Sequence, residues 1–431
     1  MNKKVLFIVF VVFAMLLASC GTPTTSAPAA TDVPAATSAP VENTKPAATE
    51  APAEVEVGEP EVCATDEFGC AVIPAGETVK LGMGAPMTGD YASFGVDISQ
   101  GASIAVKDAG EFEGFAFELV AEDDQGAPEG GAAVANKLVT DPTVVAIAGH
   151  IFSGATEAAI PVYEKAGLPM LSPSATNPPL TTLGSKVFNR IAFTDAVQGK
   201  FAADYLYTNL GLTKIAVVHD GGAYGQGLAD VVQQEFTALG GEVVGYEAIT
   251  TGEQDYTPIL SVLASKGPEA VYFGGYVAEG YVLANDMKKV GLENAVFFGC
   301  DGTFGAEFIE KAGANAEGAY SASLIPPESE AKTKFDADYL ASFGVPTGSL
   351  SPYTWSGYDS AAALIAMVKK VAVVGADGNL YVPRGALVNA VRTMSGESFI
   401  TGDITCNEVG ECNTAGPTFY VVSDGAWVVA E

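Results

Sequence analysis

Small hydroxyl side chains follow two apolar segments in the first half of the chain. Ser153 comes after the apolar run 144–148, and Ser174 and Thr176 come after the run 168–171. Hydroxyl and backbone N–H groups at neighbouring strand ends can bind a small carboxylate without an arginine, beside the positive N-terminus of the following helix. The alternative is that Ser153 and Ser174 act only as helix caps or turn residues.

The segments around these hydroxyls have the pattern of a β-α-β unit, because residues 155–166 show helical spacing between the two apolar runs. Further strands are predicted at 79–85, 115–121, 214–219, 242–248, 270–274 and 295–299. Strands therefore alternate with helical patterns, which predicts a doubly wound α/β protein with mostly parallel sheets. The chain is predicted to end in a hairpin whose arms are 405–413 and 417–429.

Composition limits the possible partners. The 431 residues are 48% hydrophobic, which is enough for two lobes with separate cores. The 52 acidic residues exceed the 21 basic ones and give a formal charge of -31. Nucleic acid is excluded as an expected partner, since phosphate contacts need clustered Lys and Arg.

The N-terminus has the features of an export signal. Lys3 and Lys4 precede the apolar run 5–18, which ends in Leu-Ala-Ser-Cys at Cys20. This ending resembles the bacterial lipobox, so we expect a signal peptide at 1–19 and a lipid on Cys20 that tethers an extracytoplasmic protein to the membrane. An ordinary secretory leader is the alternative. Residues 20–60, rich in Ala, Pro and Thr, are predicted to be a disordered tether.

The cysteine spacing predicts two local disulfides. Cys63 and Cys70 enclose six residues, and Cys406 and Cys412 enclose five. Such short loops suit an oxidising compartment. Zinc is the alternative, but its ligand pairs usually enclose two to four residues, so no metal or cofactor is expected. Cys300 is then left as an unpaired thiol.

Two other functions, an enzyme and a sensory ectodomain, are compatible with parts of the sequence. An enzyme could use His150 and His219, which follow predicted strands, but no Gly-x-Ser-x-Gly nucleophile motif is present, and we expect both histidines to be structural. The acids 122–124 could bind a metal, although acids at a helix start also favour the helix dipole. A sensory ectodomain is the second rival, and it needs a membrane-spanning helix that the sequence after residue 20 does not show.

The order of motifs resembles the branched-chain amino-acid (Leu/Ile/Val) binding proteins, the type I periplasmic binding family that feeds ABC importers. The resemblance runs from about residue 78 to the C-terminus and is carried by 79–95, 123–125, 149–150, Ser153, 172–176, 218–220, 224–225, 272–276, Trp355 and Tyr358.

This resemblance implies a two-lobed clamshell with three crossovers. The first lobe would comprise 78–192 plus 326–401 and the second 193–325 plus 402–431, with 61–77 as a disulfide-closed lead-in. The expected ligand is a small α-amino acid, and the expected partners are the permease subunits of an ABC importer. The protein is expected to be a monomer and not an enzyme. The alternatives are a ligand-presenting sensory protein, or a binder of amides or small carboxylic acids on the same fold.

The resemblance also implies a set of site residues. Ser153, Ser174 and Thr176 would hold the ligand carboxylate, and Asp301, with Thr176 and the Ser174 carbonyl, the ammonium. The side-chain pocket would be formed by aromatic residues, namely Phe94, Phe152, Tyr224, Tyr276 and Tyr358. Two positions depart from leucine-type relatives, which have glutamate in place of Asp301 and a small residue in place of Phe152. Both departures put leucine itself in question and leave an α-amino acid as the expected ligand.

Overall fold

The structure is a computed structural model that describes residues 59–412 and 416–430. The predictions for the signal peptide, for Cys20 and for almost all of the tether concern residues outside this part of the chain. Within it, no helix combines the length and the apolar character that crossing a membrane requires.

The strands are numbered in chain order as follows: β1 (Cys70–Ile73), β2 (Val79–Ala85), β3 (Glu111–Phe112), β4 (Phe115–Asp123), β5 (Val144–Ile147), β6 (Met170–Ser172), β7 (Phe188–Arg190), β8 (Lys214–His219), β9 (Glu242–Ala248), β10 (Ala270–Gly274), β11 (Val296–Phe298), β12 (Tyr320–Ser323), β13 (Val373–Val374), β14 (Leu380–Pro383), β15 (Glu397–Phe399), β16 (Gly402–Ile404), β17 (Thr418–Ser423) and β18 (Ala426–Val429).

The α-helices are α1 (Glu61–Thr65), α2 (Ala92–Ala109), α3 (Pro128–Leu138), α4 (Ser153–Ala166), α5 (Pro179–Thr182), α6 (Asp195–Asp204), α7 (Ala223–Ala238), α8 (Thr257–Ala264), α9 (Val277–Met287), α10 (Ala306–Ala312), α11 (Glu330–Phe343), α12 (Thr354–Val371) and α13 (Arg384–Arg392). Short helical turns of other types occur at Tyr205–Asn209, Asp301–Thr303 and Gly313–Ala316.

Two sheets form the framework of the two lobes. The first has the order β3-β4-β2-β5-β6-β7 and is parallel except for β3. The second has the order β18-β17-β12-β11-β10-β8-β9, with β17 and β18 antiparallel at one edge. Strands β5 and β10 are buried along their whole length, as expected of central parallel strands covered by helices on both faces. The predicted doubly wound α/β class is confirmed.

The chain passes between the two sheets three times, after β7, after β12 and before β17. Helices α11 and α12 return to the first lobe, where α12 packs closely against α2. Gly101 on α2 and Gly357 on α12 allow this approach, because a Cβ at either position would collide with the backbone of the other helix. The return of α12 places its N-terminal end beside the first lobe's strand ends.

The lead-in 61–77 joins the first lobe. Strand β1 pairs with β14, with Ile73 opposite Leu380, and the predicted disulfide Cys63–Cys70 is present. The Cys406–Cys412 disulfide is also present, and Cys300 is a buried free thiol.

The predicted C-terminal hairpin is wrong in one arm. Strand β17 pairs with β18 and β12, and residues 405–412 do not pair with it. They lie against β7 instead, where Cys412 donates its backbone N–H to the carbonyl of Arg190 at 2.8 Å. The buried Arg190 guanidinium also pairs with Glu411 at 3.0 Å. The ion pair and the backbone hydrogen bonds to the edge of β7 hold residues 405–412 against the first sheet.

Candidate ligand-binding site

The hydroxyl groups predicted from the sequence meet at the carboxyl ends of β5 and β6. Ser153 is the first residue of α4, and its Oγ accepts the N–H of Asn177 at 3.3 Å. Ser174 follows β6 and donates its hydroxyl to the carbonyl of Ile151 at 2.7 Å. Thr176 is buried, and its hydroxyl has no hydrogen-bond partner among the described residues. The free N–H groups at the start of α4 and this unpaired hydroxyl form a site suited to an anion.

Asp301 comes from the second lobe and faces this site. It is only 3% exposed. One of its carboxylate oxygens accepts hydrogen bonds from the Tyr224 hydroxyl and, at 2.6 Å, from Gln198 Nε2. Its other oxygen accepts the Tyr353 hydroxyl at 2.6 Å. The Asp301 carboxylate is thus surrounded by three neutral donors, and none of its hydrogen-bond donors is a cation. A buried carboxylate without a cation favours the binding of a positively charged group.

Ser153, Ser174, Tyr224, Asp301 and Tyr353 line one small cavity between the lobes, the inner pocket, of about 10 Å³, and Thr176 is not among its lining residues. Its walls are Phe94, Ile151, Phe152, Ser153, Ser174, Tyr224, Tyr276, Asp301, Gly302 and Tyr353. A volume of this size holds about one water molecule. Any larger ligand therefore requires the lobes to separate or a wall residue to move.

Aromatic rings occupy the space that the side-chain pocket was predicted to offer. Phe152 stacks on Tyr276 with ring centroids 4.1 Å apart and planes 11° apart. Phe94 contacts both rings edge-on, at 5.8 Å and 6.0 Å. Phe152 thus narrows the pocket, because its ring forms a stack with Tyr276 that spans the two lobes.

Sequence reasoning missed a second buried acid. Asp195 begins α6, donates its backbone N–H to the carbonyl of Thr176 at 3.0 Å, and has a carboxylate oxygen without a hydrogen-bond partner among the described residues. Burial, and then the charge of Asp301, raise the pKa of Asp195 well above its usual range. Burial also raises the pKa of Asp301. Nothing in the sequence around Asp195 indicated that it belongs to the site, because an acidic residue at the start of a helix is already explained by its interaction with the helix dipole.

Tyr358 does not lie in this site, so its predicted place in the pocket is wrong. It packs against Phe335 at 5.0 Å on the outer side of the first lobe. Tyr353, at the start of α12, provides the contact with Asp301 instead. Five residues along a helix correspond to a rotation of about 140° past a full turn, so the two tyrosines face different sides.

Both histidines have hydrogen-bond partners. His150 is fully buried between Asp124, 2.7 Å from its Nδ1, and Tyr163, 3.0 Å from its Nε2. His219 Nδ1 accepts the N–H of Gly221 at 3.1 Å. Asp124 is thereby engaged by His150 rather than free to bind a metal.

Comparison with known proteins agrees with this architecture. A family model described as "Periplasmic binding protein" matches residues 78–424. The chain belongs to the periplasmic binding protein family. Within this family it is 39% identical over 238 residues to an "Amino acid binding protein" of Pseudomonas aeruginosa, a match that covers 54% of this chain and only 63% of that one. It is 31% identical to "Leu/Ile/Val-binding protein homolog 1" of Brucella abortus, over 81% of this chain and 91% of the relative.

Two solved structures of periplasmic binding proteins are also similar to the chain. One is the leucine binding protein LivK of Thermotoga maritima, with a TM-score of 0.73, 26% identity, and coverage of 82% of this chain and 98% of that one. The other is LivJ of Streptococcus pneumoniae in complex with isoleucine, again with a TM-score of 0.73 and 26% identity, over 82% and 99% of the two chains. The predicted resemblance to the branched-chain amino-acid binding proteins is confirmed at the level of family and fold.

Proposed function

We propose that this periplasmic binding protein captures a small α-amino acid between its lobes and delivers it to the permease subunits of an ABC importer. The proposal rests on one observation, namely that an anion-binding site on one lobe faces a buried acid on the other lobe. The start of α4 with Ser153, Ser174 and Thr176 lies on the first lobe, and the buried Asp301 lies on the second. A zwitterion matches both in one molecule.

The carboxylate end of the ligand fits the first lobe. Backbone N–H groups at the N-terminus of α4 and the hydroxyls of Ser153 and Thr176 supply neutral hydrogen-bond donors for a negative charge.

The ammonium end fits Asp301. A buried carboxylate without a cation is costly, and an ammonium beside it recovers part of that cost only with good hydrogen-bond geometry. Ligands that lack the amine leave Asp301 uncompensated and are rejected. The one-methylene shortening relative to glutamate places the ligand deeper or leaves room for a bridging water.

Closure follows from the division of these groups between lobes. A ligand that contacts both lobes stabilises the closed form by its differential affinity for the two forms. A micromolar ligand supplies about 8 kcal/mol at standard state. We further propose that the division into lobes follows 78–192 plus 326–401 and 193–325 plus 402–431, with one exception. The loop 405–412, which is hydrogen-bonded to β7, is assigned to the first lobe.

The location proposed for this activity is extracytoplasmic. Family membership supports an extracytoplasmic protein, and the Leu-Ala-Ser-Cys sequence supports a lipid anchor on Cys20. Tethering keeps the protein close to its importer, and the Ala/Pro/Thr-rich segment sets the distance between them.

Isothermal titration of the purified chain tests the ligand class. We expect saturable binding of alanine or leucine, and no binding of the matching amine-free acids and amides. Asp301→Asn, which preserves shape and removes the charge, should weaken amino-acid binding by about 100-fold, as expected for truncating one partner of a buried charge pair. Glu310→Gln removes the same charge from an exposed position on α10 and is the matched control. Binding of amine-free acids with equal affinity, or an Asp301→Asn variant with unchanged affinity, would show that the ammonium assignment is wrong.

A further inference from the structure

A second and larger cavity, the outer cavity, lies beside the inner pocket. Its volume is about 610 Å³. Phe152, Tyr224 and Tyr276 line both cavities, so these three rings lie between them. A ligand side chain that leaves the inner pocket past the Phe152–Tyr276 stack therefore enters the outer cavity.

The outer cavity is acidic. Two carboxylates, Asp220 and Glu157, line it, and a third, Glu279, is bonded to Tyr91 of its wall. Glu279 is 1% exposed, and one of its carboxylate oxygens accepts the Tyr91 hydroxyl at 3.2 Å and the Gly252 N–H at 3.0 Å. Its other oxygen is buried and has no hydrogen-bond partner among the described residues. Glu279 therefore adds an uncompensated buried carboxylate next to the cavity wall.

No positive charge balances these three carboxylates. No Lys, Arg or His lines the outer cavity, and none of the three acids forms a salt bridge within the part of the chain that the structure describes. Burial raises the pKa of Asp220 to about 6, so its carboxylate is mainly ionised at neutral pH. Burial also raises the pKa of Glu279. An uncharged ligand in the cavity would leave these negative charges without a cation.

Aromatic rings form the rest of the boundary. Tyr91 lies 5.6 Å from Phe152 and 5.2 Å from Tyr276, measured between ring centroids. Ring faces attract cations by about 0.5–2 kcal/mol, more when the cation is removed from water. Carboxylates and aromatic rings together favour a cationic group over a neutral apolar one.

We propose that the outer cavity binds the cationic end of the ligand's side chain, so that the preferred ligand is an α-amino acid with a side-chain ammonium or guanidinium group. This inference rests on the proposed function, because the α-carboxylate and α-ammonium must first occupy the inner pocket. The side chain then passes the ring stack and ends near Asp220, with Glu279 adding negative charge next to the cavity wall.

Lysine and norleucine test the proposal, because norleucine lacks only the terminal amino group. Isothermal titration of the purified chain should show lysine binding at least about tenfold more tightly than norleucine. Asp220→Asn and Glu279→Gln should each reduce this ratio severalfold and leave the affinity for glycine, which reaches only the inner pocket, within about twofold. Glu310→Gln, the exposed control, should leave the ratio unchanged.

The outcomes separate this inference from the proposed function. Binding of glycine with equal affinities for lysine and norleucine overturns the inference and leaves the proposed function in place. A lysine preference that survives both substitutions overturns the assignment to the outer cavity. Failure of all three amino acids to bind overturns the proposed function and the inference together. Retained glycine binding shows that each variant is folded.

Discussion

Phe152→Ala is the substitution that most directly tests the geometry of the inner pocket. Phe152 is 4% exposed and stacks on Tyr276 at 4.1 Å, with edge contacts to Tyr91 and Phe94. In the proposed binding mode, with the ligand's charged ends at Ser153 and Asp301, the amino-acid side chain points towards this ring. Its removal should therefore change the affinity for ligands according to the size of their side chains.

The size of the effect can be worked out from these contacts. Aromatic pairs contribute about 0.5–1.5 kcal/mol each beyond area burial, so displacing the ring from all three neighbours costs about 1.5–4.5 kcal/mol. Leucine should regain this cost in the variant and bind about 10- to 2,000-fold more tightly. Glycine has no side chain that displaces the ring, so its affinity should change by less than about threefold. Loss of the ring should lower the free energy of unfolding by about 2 kcal/mol, which is less than for a closed core because the space opens on the outer cavity.

Isothermal titration with leucine and glycine, together with denaturant unfolding, measures both quantities. Phe304→Ala is the matched control, because Phe304 is also 4% exposed and stacks on Trp427 at 5.3 Å, away from the inner pocket. The control should lose stability with no change in the ratio of leucine to glycine affinity. A Phe152→Ala variant whose ratio is unchanged, or shifts toward glycine, would refute the reasoning that the ring restricts side-chain size.

Two predictions concern buried acids. Burial raises the pKa of Asp97 from 3.8 to about 6, although it accepts hydrogen bonds from Tyr339, Ser351 and Thr354. The fold thus favours its protonated form, and its contribution to the free energy of unfolding should fall by about 3 kcal/mol as the pH rises through this range. Urea unfolding of Asp97→Asn should lack this decrease, and an unchanged pH profile would contradict the assignment. The acids Asp195 and Asp301 should release a proton when an ammonium binds beside them, because the cation lowers their raised pKa values. Calorimetry in buffers of different ionisation enthalpy should detect the proton, and Asp195→Asn should bind with less release; equal heats in all buffers would be inconsistent with the coupling.

Local patterns in the sequence were sufficient for the framework of the fold. The apolar run 79–85 became β2 with the same limits, and the unit around 144–171 became β5, α4 and β6. Both follow from short-range periodicity and from the burial of central parallel strands, which any such sequence must satisfy. The two disulfides were also predictable from the sequence, because each joins cysteines that are only 7 or 6 residues apart in the chain.

The position of the ligand-contacting groups also followed from the sequence where it depended on strand ends. Ser153, Ser174 and Asp301 line one cavity because carboxyl ends of parallel strands meet at one edge of each sheet. The sequence did not show which tyrosine near the start of α12 contacts Asp301. Tyr353 and Tyr358 are five residues apart and face different sides, and only the packing of α12 on α2 decides which side meets the cleft.

Contacts between distant parts of the chain decided the rest. The position of the 405–412 loop depends on the Arg190–Glu411 ion pair, whose partners are 221 residues apart. The Phe152–Tyr276 stack and the setting of Glu279 behind Tyr91 likewise join the two lobes. The sequence by itself determined the class of fold, the strand ends that carry the polar groups, and the excess of acid. Only the tertiary structure decided how narrow the inner pocket is and where the uncompensated acids lie, because both depend on how the lobes approach each other and not on local periodicity.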